Sequence, residues 1–164
     1  MSDDQTETAQ DEGRALTPAE AHCKEYLETG GASGHIRDFT GVGGYPFGAT
    51  LLIETFGRKS GKRRVIPLCY GILDGEVIIV GSKGGADEHP EWYLNLTARD
   101  ELTFQIATQA WRATWREPEG AERQRIWDYM VGVFPPYADY VKGTDRKIPV
   151  VMMKPGSRVD VLKP

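Results

Sequence analysis

Apolar and polar residues alternate with a period of two along several short segments, which is the pattern of strands that bury one face. Between residues 110 and 117, Trp111, Ala113 and Trp115 fall on one face, and we expect these tryptophans in the core. Asp74-Gly75 predicts a hairpin turn between two such segments. The pattern predicts six strands, at about residues 50–56, 63–72, 76–81, 102–107, 110–117 and 148–154.

Helix signals lie before and between the strands. Thr17-Pro18-Ala19-Glu20 is a capping box with proline at the first helical position, and it predicts a helix from about Pro18 to Glu28. The other predicted helices are a short one near Pro90, one from about Ala121 to Phe134 that stops at Pro135-Pro136, and a turn carrying Tyr137 and Tyr140. Seven glycines between Gly30 and Gly48 predict a long connection that is either mobile or folded over a ligand.

This order of elements predicts a mainly β fold with inserted helices, of the α+β class. A small barrel or strongly curled antiparallel sheet is favoured, because closure removes exposed strand edges. A Rossmann domain is disfavoured, since the chain lacks regular βαβ alternation. Gly41-Val42-Gly43-Gly44 neither follows a strand nor has the dinucleotide-binding spacing.

Composition predicts a single compact domain with a short tail. The chain has 164 residues and 40% apolar content, enough for one core. Residues 1–14 carry a net charge of −4, equal to that of the whole chain, so we expect a disordered acidic tail at 1–15 and one neutral domain at 16–164.

Cys23 and Cys69 have no metal-binding or redox spacing, and the three histidines predict no metal site. No signal peptide or long apolar run is present, which predicts a cytoplasmic protein without a membrane segment.

One loop concentrates positive charge. The loop has the sequence Gly57-Arg58-Lys59-Ser60-Gly61-Lys62-Arg63-Arg64, with five cations in eight residues and no carboxylate. This composition is expected of an anion site, although a solvated hairpin can have the same composition. It is not a P-loop, since one residue is missing between the glycines and Arg63 replaces the magnesium-binding Ser or Thr. Ser82-Lys83-Gly84-Gly85 is a second candidate anion cradle. A neutral body and a pI of about 5.4 disfavour nucleic acid as the partner.

These motifs together resemble the deazaflavin-dependent nitroreductase family from about Thr50 to Pro155. The resemblance rests on ordered motifs at consistent spacing: Gly57 to Gly61 with Arg64 and Pro67-Leu68, Gly81 to Ala86, His89 to Leu96, Pro135 to Tyr140, Thr144-Asp145-Arg146, and Ile148 to Val151. It implies a split β-barrel of the FMN-binding, pyridoxamine-oxidase-like type. It also implies coenzyme F420, an 8-hydroxy-5-deazaflavin whose tail carries a phosphate and a run of glutamates.

The resemblance further implies roles for individual positions. The tail would be held by Arg58, Lys59, Ser60, Arg64 and Lys83. The ring would lie beside the strand residues Val65, Ile66, Pro67, Leu68 and Cys69 and the backbone of Val80, Gly81 and Ser82, in a pocket supported by Trp92, Tyr93 and Asn95. The groups expected near the acceptor are Tyr137, Tyr140 and Ser82, because a neutral phenol or hydroxyl can donate a hydrogen bond to an acceptor oxygen.

The implied activity is hydride transfer from reduced F420 to a small activated acceptor, which could be an enone, a quinone or a nitro compound. Phe134 and Cys69 stand where some relatives have tyrosine, which weakens the case for nitro compounds in particular. Two alternatives share the fold: an FMN-dependent oxidoreductase, and a carrier that binds F420 without turnover. The sequence does not define the oligomeric state.

Overall fold

The computed structural model describes residues 14–164, so all but two residues of the predicted acidic tail lie outside the described part. The helices are α1 (Pro18–Glu28), α2 (Glu91–Thr97), α3 (Gly120–Val133) and α4 (Tyr137–Tyr140). The strands are β1 (Ile36–Arg37), β2 (Gly48–Phe56), β3 (Arg63–Cys69), β4 (Gly71–Leu73), β5 (Glu76–Val80), β6 (Glu101–Ile106), β7 (Gln109–Arg116) and β8 (Val150–Val159). None of the helices within residues 14–164 has the length and apolar character that a membrane span requires.

The strands form one antiparallel sheet whose two ends are joined by a single residue. Its order is β1-β2-β6-β7-β8-β5-β4, and β3 pairs with β2 beside this path. β3 and β4 therefore lie at opposite ends of the sheet, yet only Tyr70 separates them in the chain. The sheet must curl until these ends meet, which explains its barrel shape.

The barrel interior is filled by side chains that alternate along the strands. Leu51 and Ile53 of β2 point inward with Phe104, and their side chains are at most 1% exposed. Trp92 of α2 is buried in the same cluster. Trp111 and Trp115 are partly buried against it, as predicted for core residues.

Helices cover the outer faces of the same strands. Ile126 and Met130 of α3 pack with Ile78 and Val80, the outward-facing residues of β5. Tyr26 of α1 packs with the outward side of β2 in a separate cluster. The barrel therefore has an inner core and two outer cores, and the candidate site lies at an edge between them.

Most sequence predictions of elements are confirmed, with three corrections. The predicted strand 63–72 is two strands, because Tyr70 passes from the ladder with β2 to the ladder with β5. The last strand begins at Val150, two residues later than predicted, and extends to Val159 because β7 offers it a long partner. The segment between Gly30 and Gly48 contains β1 and a 3-10 turn at Thr40–Val42, so it is not a structureless connection.

Candidate active site

A cavity of about 350 Å³ opens beside β3 at the edge of the barrel. Its walls are β3, the turn that follows β5, the start of α2 and the segment around α4. The residues that line it are Arg37, Phe39, Thr50, Ile66, Pro67, Leu68, Cys69, Val80, Ser82, Lys83, Gly84, Pro90, Trp92, Phe134, Tyr137 and Tyr140.

The wall at β3 is an edge strand, since β2 is its only partner within the described sheet. Pro67 lacks an N–H, which an edge strand tolerates. The backbone carbonyl of Val65 accepts a hydrogen bond from Cys23 Sγ of α1 at 3.5 Å. Burial raises the pKa of the Cys69 thiol to about 12, so this residue contributes a neutral, apolar surface and no nucleophile.

The turn after β5 lines the cavity with Ser82, Lys83 and Gly84. Ser82 has right-handed backbone angles, and Lys83 (φ 46°) and Gly84 (φ 64°) follow in the left-handed region. Successive residues in this order form a concave nest of N–H groups that binds anions or carbonyl oxygens.

Arg146 holds this turn in place. Its guanidinium donates to the carbonyl oxygens of Gly81 at 3.0 Å, Ser82 at 2.9 Å and Ala86 at 3.0 Å, and it contacts His89 Nδ1 at 2.9 Å. A planar donor with a rigid fork suits several carbonyls at once. Sequence reasoning included Arg146 in a motif but gave it no role, because its partners lie more than fifty residues away.

Two tyrosines form the opposite wall. Tyr137 is buried, with 4% of its surface exposed, and Tyr140 is partly buried. Burial raises the pKa of both phenols, that of Tyr137 well above its ordinary value, so both are protonated at neutral pH. Neither hydroxyl has a hydrogen-bond partner among the described residues, so both remain available as donors to a ligand.

The glycine-rich segment supplies two lining residues that sequence reasoning missed. Phe39 meets Phe134 edge-on, with ring centroids 5.2 Å apart, and the Arg37 guanidinium lies 5.3 Å from the Phe39 ring. A Cβ at Gly48 would lie 2.3 Å from the Phe39 ring, so glycine is needed there to seat the aromatic residue. The number of glycines was visible in the sequence, but the ring that they accommodate was not.

The basic loop lies outside the cavity lining and is fixed to α2. Arg58 donates through Nη1 to Glu91 Oε2 at 2.8 Å and to Asn95 Oδ1 at 2.9 Å. The hydrogen bond from Arg58 lowers the pKa of Glu91, and the charges of Lys83 and Lys59 lower it further. Glu91 stands between two residues that line the cavity, Pro90 and Trp92, so its contact with Arg58 places the loop at the rim of the cavity.

The structure thus divides the predicted site residues into two groups. Those that line the cavity are Ile66, Pro67, Leu68, Cys69, Val80, Ser82, Lys83, Trp92, Tyr137 and Tyr140. Those that lie beside it are Arg58, Lys59, Ser60, Arg64, Val65, Gly81, Tyr93 and Asn95. Among the latter, Asn95 is buried and anchors Arg58, whereas the Tyr93 hydroxyl donates to Glu117 at 3.0 Å.

No group of three or more His, Cys, Asp or Glu side chains suitable for a metal ion occurs within residues 14–164.

The class of this protein is defined by a curled antiparallel barrel, an aromatic cavity at its open edge and cations at the rim. It is a split β-barrel with a candidate cofactor site at the barrel edge.

Comparison with known proteins identifies the family within this class. The family model described as F420H(2)-dependent quinone reductase matches residues 28–155. The chain therefore belongs to the F420H(2)-dependent quinone reductase family, which is a family of oxidoreductases. The predicted resemblance to deazaflavin-dependent reductases is confirmed. The matching family is named for quinones rather than for nitro compounds.

Individual relatives agree with this assignment. A Mycobacterium tuberculosis protein named F420H(2)-dependent quinone reductase is 30% identical over 135 residues, covering 80% of this chain and 86% of its own. A second protein of that species, with the same family name, is 35% identical over 106 residues, covering 65% of this chain and 89% of its own. The solved structure of an F420-H2 dependent reductase, FDR-A, is 40% identical with a TM-score of 0.59, covering 64% of this chain and 93% of that one.

Proposed function

We propose that this protein is an oxidoreductase that transfers hydride from reduced coenzyme F420 to a quinone. The observation that carries the proposal is the cavity at the open edge of β3, because it combines an aromatic interior, two unpaired phenols and a cationic rim. Family membership supplies the coenzyme and the acceptor class.

The residues present fit the coenzyme. The aliphatic and aromatic side chains of Ile66, Leu68 and Trp92 suit a flat ring system. The N–H nest at Ser82 to Gly84 suits an anion or a carbonyl oxygen, and it lies on the wall of the same cavity. The FMN alternative lacks comparable support, since the matching family is named for F420.

The cations at the rim suit an acidic tail. Lys59 and Lys83 both act electrostatically on Glu91, and Lys83, which lines the cavity, is also paired with Glu88 at 3.2 Å. Charge-assisted hydrogen bonds to phosphate or carboxylate oxygens contribute roughly 1.5–3 kcal/mol each when they form. We therefore assign Arg58, Lys59, Ser60, Arg64 and Lys83 to the coenzyme tail.

Reduced F420, when bound, supplies a hydride, so the protein's part is to orient the acceptor and stabilise its developing negative charge. Tyr137 and Tyr140 are placed to do this, since their raised pKa values keep both hydroxyl protons in place at neutral pH. Ser82 lines the same cavity and can donate through its hydroxyl. Phe39 and Phe134 line the same space with apolar rings. We assign Tyr137, Tyr140 and Ser82 to the acceptor.

Two measurements test the proposal. Titration with oxidised F420, followed by its fluorescence, is expected to show binding at micromolar concentration, with FMN as the comparison ligand. Oxidation of reduced F420 in the presence of 2-methyl-1,4-naphthoquinone is then expected to proceed at a rate that depends on the protein. Binding without turnover would favour a carrier, and no binding would overturn the proposal. Enone and nitro acceptors remain predictions that the same assay can test.

A further inference from the structure

A second cavity lies outside the barrel, between α1 and β3. Its volume is about 390 Å³, similar to that of the candidate active site. The residues that line it are Ala19, Glu20, Cys23, Lys24, Leu27, Glu28, Val65, Ile66, Pro67 and Pro164. We call this cavity the α1–β3 groove. The proposed function leaves it unused.

The walls of the α1–β3 groove are almost entirely apolar, and its charged groups lie at the rim. Leu27 and Val65 form the floor together with Cys23, whose pKa burial raises, so its thiol is neutral at neutral pH. Lys24 is paired with Glu28 at 3.5 Å, and Glu20 is ionised, since its pKa is about 2. Glu20 is itself paired with Arg14 at 2.8 Å, so the charged side chains at the rim pair with one another. The groove fits an uncharged, aliphatic occupant.

The groove is connected to the candidate active site through shared residues. Ile66 and Pro67 of β3 line both cavities. Among the described strands, none pairs with the outer side of β3, so the edge that carries these shared residues is open. An extended apolar chain attached to a molecule in the active site can therefore leave along β3 into the groove.

We propose that the α1–β3 groove binds the aliphatic prenyl chain of the quinone acceptor. The inference rests on the proposed function, which places the quinone ring in the neighbouring cavity. The groove makes chain-bearing quinones better substrates than their chain-free analogues, since moving methylene groups from water into an apolar groove is favourable. Acceptor preference is thus set partly outside the cavity where the chemistry occurs.

A matched pair of substitutions on α1 tests this. Ala19 lines the groove, whereas Ala21 is exposed on the same helix and does not line it. Ala19→Phe is expected to lower kcat/KM at least about tenfold for 2-methyl-1,4-naphthoquinone carrying a two-unit prenyl chain. The same variant is expected to change kcat/KM for the chain-free quinone less than about twofold. Ala21→Phe is expected to leave both values within about twofold of the unsubstituted protein.

A binding measurement that needs neither coenzyme nor turnover completes the test. Farnesol, a prenyl chain without a quinone ring, is expected to bind the unsubstituted protein by calorimetry and to bind Ala19→Phe about tenfold more weakly. Equal farnesol affinity in Ala19→Phe and Ala21→Phe would overturn the proposal, as would a change of oligomeric state in Ala19→Phe alone, which would make the groove a contact between copies. If no quinone is reduced but farnesol binds as expected, the proposed function fails and the groove assignment stands.

Discussion

At the scale of the residue, the site depends on how burial shifts the pKa values of its side chains from their values in water. Tyr137 is a phenol with a pKa raised well above 10 by burial, with smaller contributions from Cys69 and Tyr140. Its proton is therefore retained across the whole neutral range, and the hydroxyl acts only as a donor. Cys69 is equally changed, because a thiol with a pKa of about 12 forms no thiolate at neutral pH.

We predict that Tyr137→Phe lowers kcat/KM for quinone reduction roughly tenfold to hundredfold, because it removes a hydrogen bond worth about 1.5–3 kcal/mol to a charged oxygen. The affinity for F420 is expected to change less than about twofold. Steady-state kinetics and a fluorescence titration check both values. Tyr45→Phe is the control, since Tyr45 is half exposed and its hydroxyl reaches only Gly132 O at 3.4 Å. Equal losses in the two variants would contradict the role of Tyr137.

Lys59→Ala, in contrast to Tyr137→Phe, is expected to act mainly on the affinity for F420. It removes a rim cation that we assign to the coenzyme tail, so the Kd for F420 is expected to rise roughly fivefold, which corresponds to about 1 kcal/mol. Arg64→Ala is expected to weaken binding similarly, and both effects are expected to shrink at high salt. Lys154→Ala removes an exposed charge on β8 and serves as the control. If Lys154→Ala raises the Kd for F420 as much as Lys59→Ala does, the loss reflects only a general effect of charge.

At the scale of the element, the turn between β5 and α2 links the two walls of the cavity. Arg146 fixes its carbonyl groups from one side, and Gly85 lies against the backbone of Tyr140 from the other. Gly85 has φ +84°, and a Cβ there would lie 2.8 Å from the carbonyl oxygen of Tyr140. The position of α4 therefore depends on a glycine in a neighbouring element.

Gly85→Ala is predicted to destabilise the protein by about 2–4 kcal/mol, as the sum of a left-handed backbone cost near 1 kcal/mol and a clash with the main chain. Gly75→Ala is the matched control, because Gly75 has φ +80° and no atom within 4 Å of the added Cβ. We expect it to cost only about 1 kcal/mol. Urea unfolding of both variants measures the difference. If the two midpoints shift equally, Gly85 does not position α4.

At the scale of the whole molecule, local signals were readable from sequence and long-range ones were not. The capping box predicted α1 correctly because its hydrogen bonds, Thr17 N–H to Glu20 and Glu20 N–H to Thr17, lie within four residues. The division of the 63–72 segment was missed because the apolar pattern continues through Tyr70 while the pairing partner changes. Motif resemblance identified the cavity wall at β3, whereas Arg37 and Phe39 reach the cavity only through the folded barrel.

Closure of the barrel at Tyr70 leads to a pH-dependent prediction. His35 Nε2 lies 2.8 Å from the buried Tyr70 hydroxyl, and burial lowers the pKa of His35 from 6.5. As pH falls below about 6.5, the unfolded chain binds a proton at this residue more readily than the folded protein does. The stability present above pH 6.5 is therefore lost progressively as pH decreases toward the folded-state pKa.

His35→Gln keeps a polar partner for Tyr70 but cannot be protonated, so its free energy of unfolding is expected to fall less between pH 7.5 and 5.5 than that of the unsubstituted protein. Urea unfolding at the two pH values measures the difference. Burial also lowers the pKa of His89, but this residue is present in both proteins, so its contribution to the pH dependence of stability is the same in each. The carboxylates with lowered pKa values, such as Glu20 and Glu91, lose their protons below this range and cancel as well. An equal decrease in both proteins would mean that the histidine at the barrel closure does not couple folding to pH.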